Sequence, residues 1–224
     1  MKKGLFLLMS LVALASCNVN FNGFDTNMIE PSGNVVTMEY KLQPFEEVKM
    51  NCAGFVEIVQ SETKDGVVEL TAPENYIELY KFESDGKNLN ISFSKNKINL
   101  QTKDVKIRVY TTDLIKVQNS GVGSIEMDSL DTDHIEILNS GVGSITIIGV
   151  ADDAVMTCSG VGGIYTGNLK AMNVKATVSG VGSIECYASD SIEGQVTGVG
   201  SLSFGGNPKS KNNKRTGIGS INEM

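Results

Sequence analysis

The residues of this chain that could do chemistry are a group of acidic side chains and one histidine. The acidic group consists of five aspartates in the middle of the chain: Asp128, Asp131, Asp133, Asp152 and Asp153. His134 is the only histidine and directly follows Asp133. Because two carboxylates ~5–9 Å apart can hydrolyse a glycosidic bond, a polysaccharide lyase or hydrolase is one interpretation of this group.

The setting of these residues favours an ordinary solvated surface instead. The aspartates fall in connecting turns between apolar stretches, and His134 lies in such a turn as well. The chain has no Trp to stack on a sugar, and its order of residues offers neither a Ser–His–Asp triad nor a metal-ligand spacing. We therefore expect a protein that is not an enzyme and that uses no metal and no cofactor.

A glycine-rich motif, Ser/Thr-Gly-Val/Ile-Gly followed by a small residue and Ile or Leu, is repeated through the second half of the chain. Its six copies are Ser120 to Ile125, Ser140 to Ile145, Ser159 to Ile164, Ser179 to Ile184, Thr197 to Leu202 and Thr216 to Ile221. A phosphate-binding loop would need a helix after the glycines, and a calcium-binding roll would need an Asp in each turn. Neither is present, so the motif indicates structure and not a ligand loop.

The spacing of the motif predicts the fold. Copies begin 18 to 20 residues apart, and self-similarity at such a period is typical of a solenoid. Apolar and polar residues alternate between the copies, which is the pattern of strands with one buried face. Since parallel crossovers are almost always right-handed, we predict an all-β fold: a right-handed, single-stranded parallel β-helix with coils of about 18–20 residues.

Stacking the copies assigns each position to the inside or the outside of the helix. The apolar position that ends each motif is predicted to point inward, as is the column that contains Cys158 and Asn119. The valine between the two glycines is also expected to fill the inside of the corner, with the glycines supplying positive φ or the absence of a Cβ. The position after the inward Ile points outward, and it supplies three candidate ligand-binding residues: Tyr165, Glu126 and Glu185.

The first 36 residues predict export and anchoring. Residues 1–16 have two lysines, a short apolar core and small residues before Cys17, as in a signal peptide. Leu14-Ala15-Ser16-Cys17 resembles the lipobox of bacterial lipoproteins, which implies a lipid on Cys17 and a membrane as partner. Residue 18 is Asn and not Asp, which favours the outer membrane. Residues 17–36 are then a lipid-attached tether.

The net charge bears on the partners of the protein, and the cysteine count bears on its disulfides. Cleavage before Cys17 would change the formal charge from −7 to −9, which disfavours nucleic acid as a partner. The other three cysteines, an odd number, argue against a disulfide framework.

The rest of the chain divides into a less regular and a regular part. Residues 37–113 are predicted to form irregular N-terminal β coils of the same helix, with a small separate β domain as the alternative. Cys52 is aligned with Cys158 and Asn119 in this interpretation. Residues 114–224 form the regular repeats, and the basic run 209–215 acts as a C-terminal cap, because lysines protect an open strand edge.

The chain resembles the head GIN domain family of putative auto-transporter adhesins, which are envelope proteins of Bacteroidetes-type bacteria. The resemblance rests on Pro44-Phe45-Glu46-Glu47-Val48-Lys49, on Asp85-Gly86-Lys87-Asn88-Leu89-Asn90-Ile91, on the Ser-Gly-Val-Gly-Ser-Ile repeats and on Gly206-Asn207-Pro208-Lys209. It covers residues 38–224 and implies a right-handed β-helix with an adhesin-like role.

Taken together, these patterns predict a non-catalytic lipoprotein of the cell envelope. It would bind a polymer or protein partner, such as a glycan or an envelope protein, through outward strand faces. A β-helical polysaccharide lyase or hydrolase is the alternative.

Overall fold

The computed structural model of the protein describes residues 28–224. The signal peptide, Cys17 and the tether as far as residue 27 lie outside the described residues. Within residues 28–224, no helix has the length and apolar character needed to cross a membrane. The described end of the predicted tether packs on the body: Ile29 bridges to Leu100, and its N–H donates to the Asn99 carbonyl at 2.9 Å.

The described chain is almost entirely β-structure, with one short 3-10 helix at Glu74–Leu79. The strands are β1 (Val35–Lys41), β2 (Glu47–Asn51), β3 (Ala53–Gln60), β4 (Val67–Pro73), β5 (Tyr80–Ser84), β6 (Asn88–Phe93), β7 (Lys106–Thr111), β8 (Lys116–Asn119), β9 (Val122–Asn139), β10 (Val142–Cys158), β11 (Val161–Val178), β12 (Val181–Val196), β13 (Val199–Gly205), β14 (Ser210–Arg215) and β15 (Ile218–Glu223). Strands β9 to β12 are long because each bends around most of one coil.

The strands form two faces of the helix. The long strands β9 to β12 belong to both faces, because each bends from one face to the other. Face A has the order β1-β4-β7-β3-β9-β10-β11-β12-β13-β15. Face B has the order β5-β6-β2-β8-β9-β10-β11-β12-β14. From β9 onward every pair is parallel, with motif stacked on motif. Register shifts occur only between the motifs, where coils of 18 to 20 residues differ in length, as between Ile147 and Gly149 and between Thr166 and Ala171. The predicted all-β parallel solenoid is confirmed.

The N-terminal part adds antiparallel strands to both faces. Strands β2 and β3 take the place of one parallel coil, but β1, β4 and β5 pair antiparallel with their neighbours. The predicted alignment of Cys52 with Asn119 is wrong, because Met50 pairs with Asn119 and Ala53 with Val122. That alignment rested on residue identity, whereas apolar Met50 fills the interior position that Asn119 occupies in the next coil.

The C-terminal basic run is itself a strand. It forms β14, which continues face B by pairing with β12. All six residues of β14 are exposed, and two lysines form ion pairs, Lys209 with Asp190 and Lys211 with Glu223.

The core consists of the predicted inward columns. On face A the isoleucines and leucine that end the first five motifs are at most 1% exposed: Ile125, Ile145, Ile164, Ile184 and Leu202. On face B a second column is equally buried, and it consists of Asn119, Asn139, Cys158, Val178 and Val196. Because the side-chain period of a strand is two, this burial fixes the register of every coil.

The valine between the two glycines points out of the helix, contrary to the prediction. Its exposure is 57% at Val122 and 50% at Val142. The inside of the corner is filled instead by the residue before each motif, which is Asn119, Asn139, Cys158, Val178 or Val196 in the first five copies. In the first copy the Asn119 carboxamide accepts from the Gly121 N–H at 3.0 Å and donates to the Gly123 carbonyl at 3.3 Å. Because this buried side chain occupies the interior of the corner, the valine is turned outward.

Close contact between coils, more than backbone strain, explains the first glycine of each motif. Positive φ occurs at the second glycine of the first three copies, with 142° at Gly123, 130° at Gly143 and 137° at Gly162, but not at Gly141. A Cβ on Gly141 would lie 2.2 Å from the Gly121 carbonyl oxygen of the previous coil. That atom belongs to the backbone and cannot move aside without disturbing the stack.

We expect Gly141→Val to destabilise the protein by about 1–3 kcal/mol, because it inserts side-chain atoms into a packed backbone contact. Chemical unfolding monitored by circular dichroism measures the change. Gly33→Val is the control, since a Cβ there would have no neighbour within 4 Å. Equal stability of the Gly141→Val variant and the native protein would refute the steric explanation.

The buried stack predicts a second contrast, between two adjacent residues of β11. Ile164 is 0% exposed, so Ile164→Ala should cost ~2–5 kcal/mol through lost packing. Tyr165 is 42% exposed, and Tyr165→Ala should cost clearly less. Because a solenoid is held by contacts between neighbouring coils, hydrogen exchange should show the Ile164 variant loosening in β10 and β12 first. A larger loss of stability in the Tyr165 variant would be incompatible with the register.

Candidate functional site

An exposed apolar ridge runs along the corner of the helix, parallel to its axis. It is formed by the outward residue of each motif: Val122, Val142, Val161, Val181, Val199 and Ile218. The valines are between 50% and 57% exposed, and Ile218 is 76% exposed. We call these six residues the valine ridge. Parallel pairing places consecutive members one coil spacing apart, about 4.8 Å.

Hydroxyl groups flank the valine ridge on both sides. One column precedes the glycines, where the Ser120 and Ser140 hydroxyls are 3.1 Å apart. The other column follows the glycines, where the Ser124 and Ser144 hydroxyls are also 3.1 Å apart. The corner therefore presents an apolar line between two lines of small polar groups.

The three predicted ligand-binding residues lie on face A, next to this corner. Glu126, Tyr165 and Glu185 share one outward column, in which Thr146 separates Glu126 from Tyr165. Tyr165 pairs directly with Glu185. All three side chains are exposed, so the structure brings them into one row on the surface. Among the three, Glu126 also lines a cavity, a small one of about 160 Å³ that it shares with Glu57 and Asp128.

Tyr165 packs against the glycine of the one motif that lacks the second serine. Gly163 occupies that position, in register with Ser144 and Ser183. A Cβ at Gly163 would lie 2.6 Å from Cζ of the Tyr165 ring. The ring thus covers the glycine, and this close packing accounts for the absence of a serine in this copy.

The same outward column becomes charged toward the N-terminal end. Glu126 is followed by Glu57 and then by Arg108. Burial alone would raise the pKa of Glu57, but hydrogen bonds from Arg108 and Lys106 outweigh it and hold that pKa below its usual value. The Lys106 ammonium lies 2.9 Å from the Glu57 carboxylate. Glu57 is thus committed to an ion-pair network and stays ionised.

A groove crosses face B, on the other side of the corner. It has a volume of about 510 Å³ and is lined by residues of five strands, β9, β10, β11, β12 and β14. Its first column of outward residues is entirely polar: His134, Asp153, Asn173, Ser191 and Ser210. A second column beside it contains Val155, Lys175, Glu193 and Asn212. We call this site the face B groove.

Hydrogen bonds order the polar residues along the groove. The Ser191 hydroxyl donates to the Asn173 carboxamide oxygen at 2.7 Å, and the Asn173 amide donates to Asp153 at 3.0 Å. In the second column the Lys175 ammonium lies 3.1 Å from the Glu193 carboxylate. These contacts join successive coils, so they hold a row of polar groups parallel to the helix axis.

The structure corrects the expectation that His134 lies on a turn. It lies within β9, in register with Asp153 of β10. Of the five aspartates and the histidine considered at the outset, only His134 and Asp153 line the groove. The remaining aspartates, Asp128, Asp131, Asp133 and Asp152, are exposed and lie away from it.

A signal for the groove was present in the sequence. Its first column is the residue six positions before the Ser or Thr of the second to sixth motifs. The residues five, three and one positions before that Ser or Thr are buried in the second to fifth motifs. The residue six positions before it therefore lies on the outward side of the strand and belongs to the polar row.

Outside the groove, the three cysteines of the described chain are buried, and its acidic side chains are scattered. Burial raises the pKa of the Cys52 and Cys186 thiols to about 12 and also raises the pKa of Cys158. All three cysteines are free, in keeping with the odd count. Residues 28–224 contain no group of three or more His, Cys, Asp or Glu side chains arranged to hold a metal ion.

Comparison with known proteins identifies relatives of the same architecture. The sequence profile of a family described as putative auto-transporter adhesin, head GIN domain, matches residues 44–208. A crystal structure of a putative adhesin from Bacteroides fragilis NCTC 9343 is 29% identical, with a TM-score of 0.74, and the match covers 88% of this chain and 100% of that one. No curated protein matches the sequence.

Two structures from Parabacteroides distasonis ATCC 8503 share the fold at lower identity. A putative adhesin is 18% identical with a TM-score of 0.55, and the match covers 88% of this chain and 100% of that one. A protein described as a putative lipid binding protein is 22% identical with a TM-score of 0.54, and the match covers 88% of this chain and 99% of that one. These two similarities support the fold alone.

Proposed function

Because this chain belongs to the head GIN domain family of putative auto-transporter adhesins, we propose that it is a non-catalytic, adhesin-like protein of the cell envelope. It binds a polymer or protein partner through the valine ridge and the outward columns of face A beside it. The partner bridges several coils at once, since the ridge repeats the same chemistry in every coil.

The observation that carries this proposal is the exposure of the valine ridge. Contiguous exposed apolar surface with a polar border often marks an interaction site. The fold does not require valine at these positions, because the inside of the corner is filled by other side chains. Burying the ridge against a partner would remove apolar surface from water at about 25 cal/mol per Å².

The outward column of face A supplies polar contacts and one aromatic contact next to the ridge. Tyr165 offers a ring face, while Glu126 and Glu185 offer hydrogen-bond acceptors on neighbouring rungs. Rigid strands hold these groups, so binding would cost little ordering entropy. The three residues are the proposed specificity elements of the surface.

Attachment to the membrane through a lipidated Cys17 belongs to the same proposal. Acyl chains on one cysteine would anchor the protein stably, because each buried CH₂ contributes ~0.8 kcal/mol. The lipobox-like residues before Cys17 and Asn18 after it support an outer-membrane location.

Replacing three ridge residues tests the binding surface. Val142→Thr, Val161→Thr and Val181→Thr, combined in one variant, keep the branched shape but place hydroxyls on the ridge. We expect beads coated with the variant to be retained at least ten-fold less than native beads on mucin or on immobilised envelope protein. Thermal unfolding should change little, because exposed positions tolerate substitution.

The matched control carries the same change at exposed valines away from the ridge, Val35→Thr and Val150→Thr, which are 48% and 47% exposed in the native chain. Its beads should behave like native beads. Native-level retention of the ridge variant, or no retention of native beads on either surface, would contradict the proposal.

The anchoring proposal is tested separately. We expect Cys17→Ala to abolish lipid attachment and move the protein from the membrane fraction to the soluble fraction of the cell envelope. Metabolic labelling with a clickable fatty acid and fractionation measure both effects. Cys52→Ala, at a buried position, is the control for cysteine loss. A variant that lacks Cys17 but still fractionates with membranes would disprove lipid anchoring.

The alternative function, a polysaccharide lyase or hydrolase, is favoured by one placement only, that of His134 beside Asp153 in the face B groove. Release of reducing ends from a bound polysaccharide would support it.

A further inference from the structure

The face B groove is a second surface, separate from the valine ridge. It is built from the outward side of β9 to β12 and from β14, whereas the proposed adhesive surface lies at the corner and on face A. Its residues differ from rung to rung, while the ridge repeats one residue type. A site with this pattern can recognise a partner that the ridge does not.

The backbone in the middle of the groove cannot form ladder hydrogen bonds with an added strand. Each central strand, β10, β11 and β12, is paired on both sides through parallel ladders. Its N–H and C=O groups are used between coils, so a peptide cannot add to the sheet along the groove. Only β14, at the end of the groove, has no second strand partner in the described chain. Recognition must come from the side chains of the two outward columns.

These side chains suit a ligand that both donates and accepts hydrogen bonds. Hydroxyl groups at Ser191 and Ser210 and the Asn173 carboxamide can do both. The Asp153 carboxylate accepts, and the Lys175 ammonium donates. Sugar hydroxyls have this same double capacity, in contrast to the apolar or aromatic groups that a hydrophobic cleft would select.

The charges in the groove favour an uncharged ligand. Lys175 and Glu193 form an ion pair at 3.1 Å, which cancels their charges locally. What remains is the Asp153 carboxylate, which would repel a uronic acid or phosphate polymer, and the chain as a whole carries an excess of acidic residues. An anionic polymer is therefore disfavoured at this site.

The length of the groove favours a polymer over a single sugar. The lining comes from five successive rungs, so the groove extends over four coil spacings, or about 19 Å along the axis. A chain lying in it would meet a new pair of polar residues at each coil. Contacts to successive units would then add, and affinity would rise with chain length.

From these observations we propose that the face B groove binds an extended, uncharged polysaccharide whose chain runs parallel to the helix axis. Asn173 is the central contact, because it already links Asp153 and Ser191 and holds both in position. The site binds the polysaccharide without cleaving it.

A glycan array with neutral and anionic polysaccharides tests the ligand class on the full chain. We expect binding to at least one neutral polymer. Titration calorimetry with oligosaccharides of that polymer should give dissociation constants that fall with length, until the oligosaccharide spans the five rungs. Asn173→Ala and Lys175→Ala should each raise the dissociation constant at least ten-fold.

Three further variants keep the result interpretable. Thr177→Ala changes the same strand and the same outward side but lies outside the groove lining, so it should bind like the native chain. Ser210→Arg, at an exposed edge residue, should block the end of the groove without disturbing the core. Val142→Thr on the ridge should leave groove binding intact, which separates failure at this site from failure of the proposed adhesive surface.

Several outcomes would overturn the proposal. These are an array on which no neutral polymer binds, preference for anionic polymers, and native affinity in the Asn173, Lys175 and Ser210 variants when all three melt at the native temperature. Release of reducing ends from the bound polymer would overturn the claim that the site does not cleave its ligand.

Discussion

Successive coils of this protein touch backbone to backbone at one corner, and the rest of the structure depends on that contact. A Cβ on Gly143 would lie 2.0 Å from the Gly123 carbonyl oxygen, and one on Gly162 would lie 1.9 Å from that of Gly143. Only glycine permits this approach. The contact aligns the motifs, which in turn aligns every column before and after them. It also separates the inside of the corner, which the buried residue before each motif fills, from an outside where valine is exposed.

Stacking in register has an electrostatic cost that the sequence reduces. Like charges one coil spacing apart repel each other. Along face A, Thr146 and Tyr165 separate Glu126 from Glu185, and where Glu126 lies directly beside Glu57, Lys106 and Arg108 pair with the Glu57 carboxylate. Along face B, adjacent rungs alternate in sign, as in the pairs Lys116–Glu136 and Lys175–Glu193. The exposed charges therefore contribute to specificity of register more than to stability, since such surface pairs are each worth at most about 1 kcal/mol.

The sequence predicted the regular coils well, because period-two alternation directly reports which side of a strand is buried. Ile164 and Tyr165 fell on the expected sides for that reason. The alternation failed at the corner, where five residues between inward Asn119 and inward Ile125 do not follow a strand. The residues around Val122 do not indicate whether its side chain points into the corner or out of it, so the predicted inward direction was wrong. The groove was missed for a different reason: His134, with Asp133 before it, was taken for a turn residue.

The glycine stack also governs how such a chain can change over evolutionary time. Differences of one or two residues are absorbed between the motifs, since the coils are 18 to 20 residues long and the strand pairs shift register between Ile147 and Gly149 and between Thr166 and Ala171. An insertion that displaced a motif would break the glycine contact, whereas an insertion of one complete coil leaves every such contact intact. Tandem duplication therefore lengthens the molecule in steps of about 4.8 Å, and each step adds one valine to the ridge.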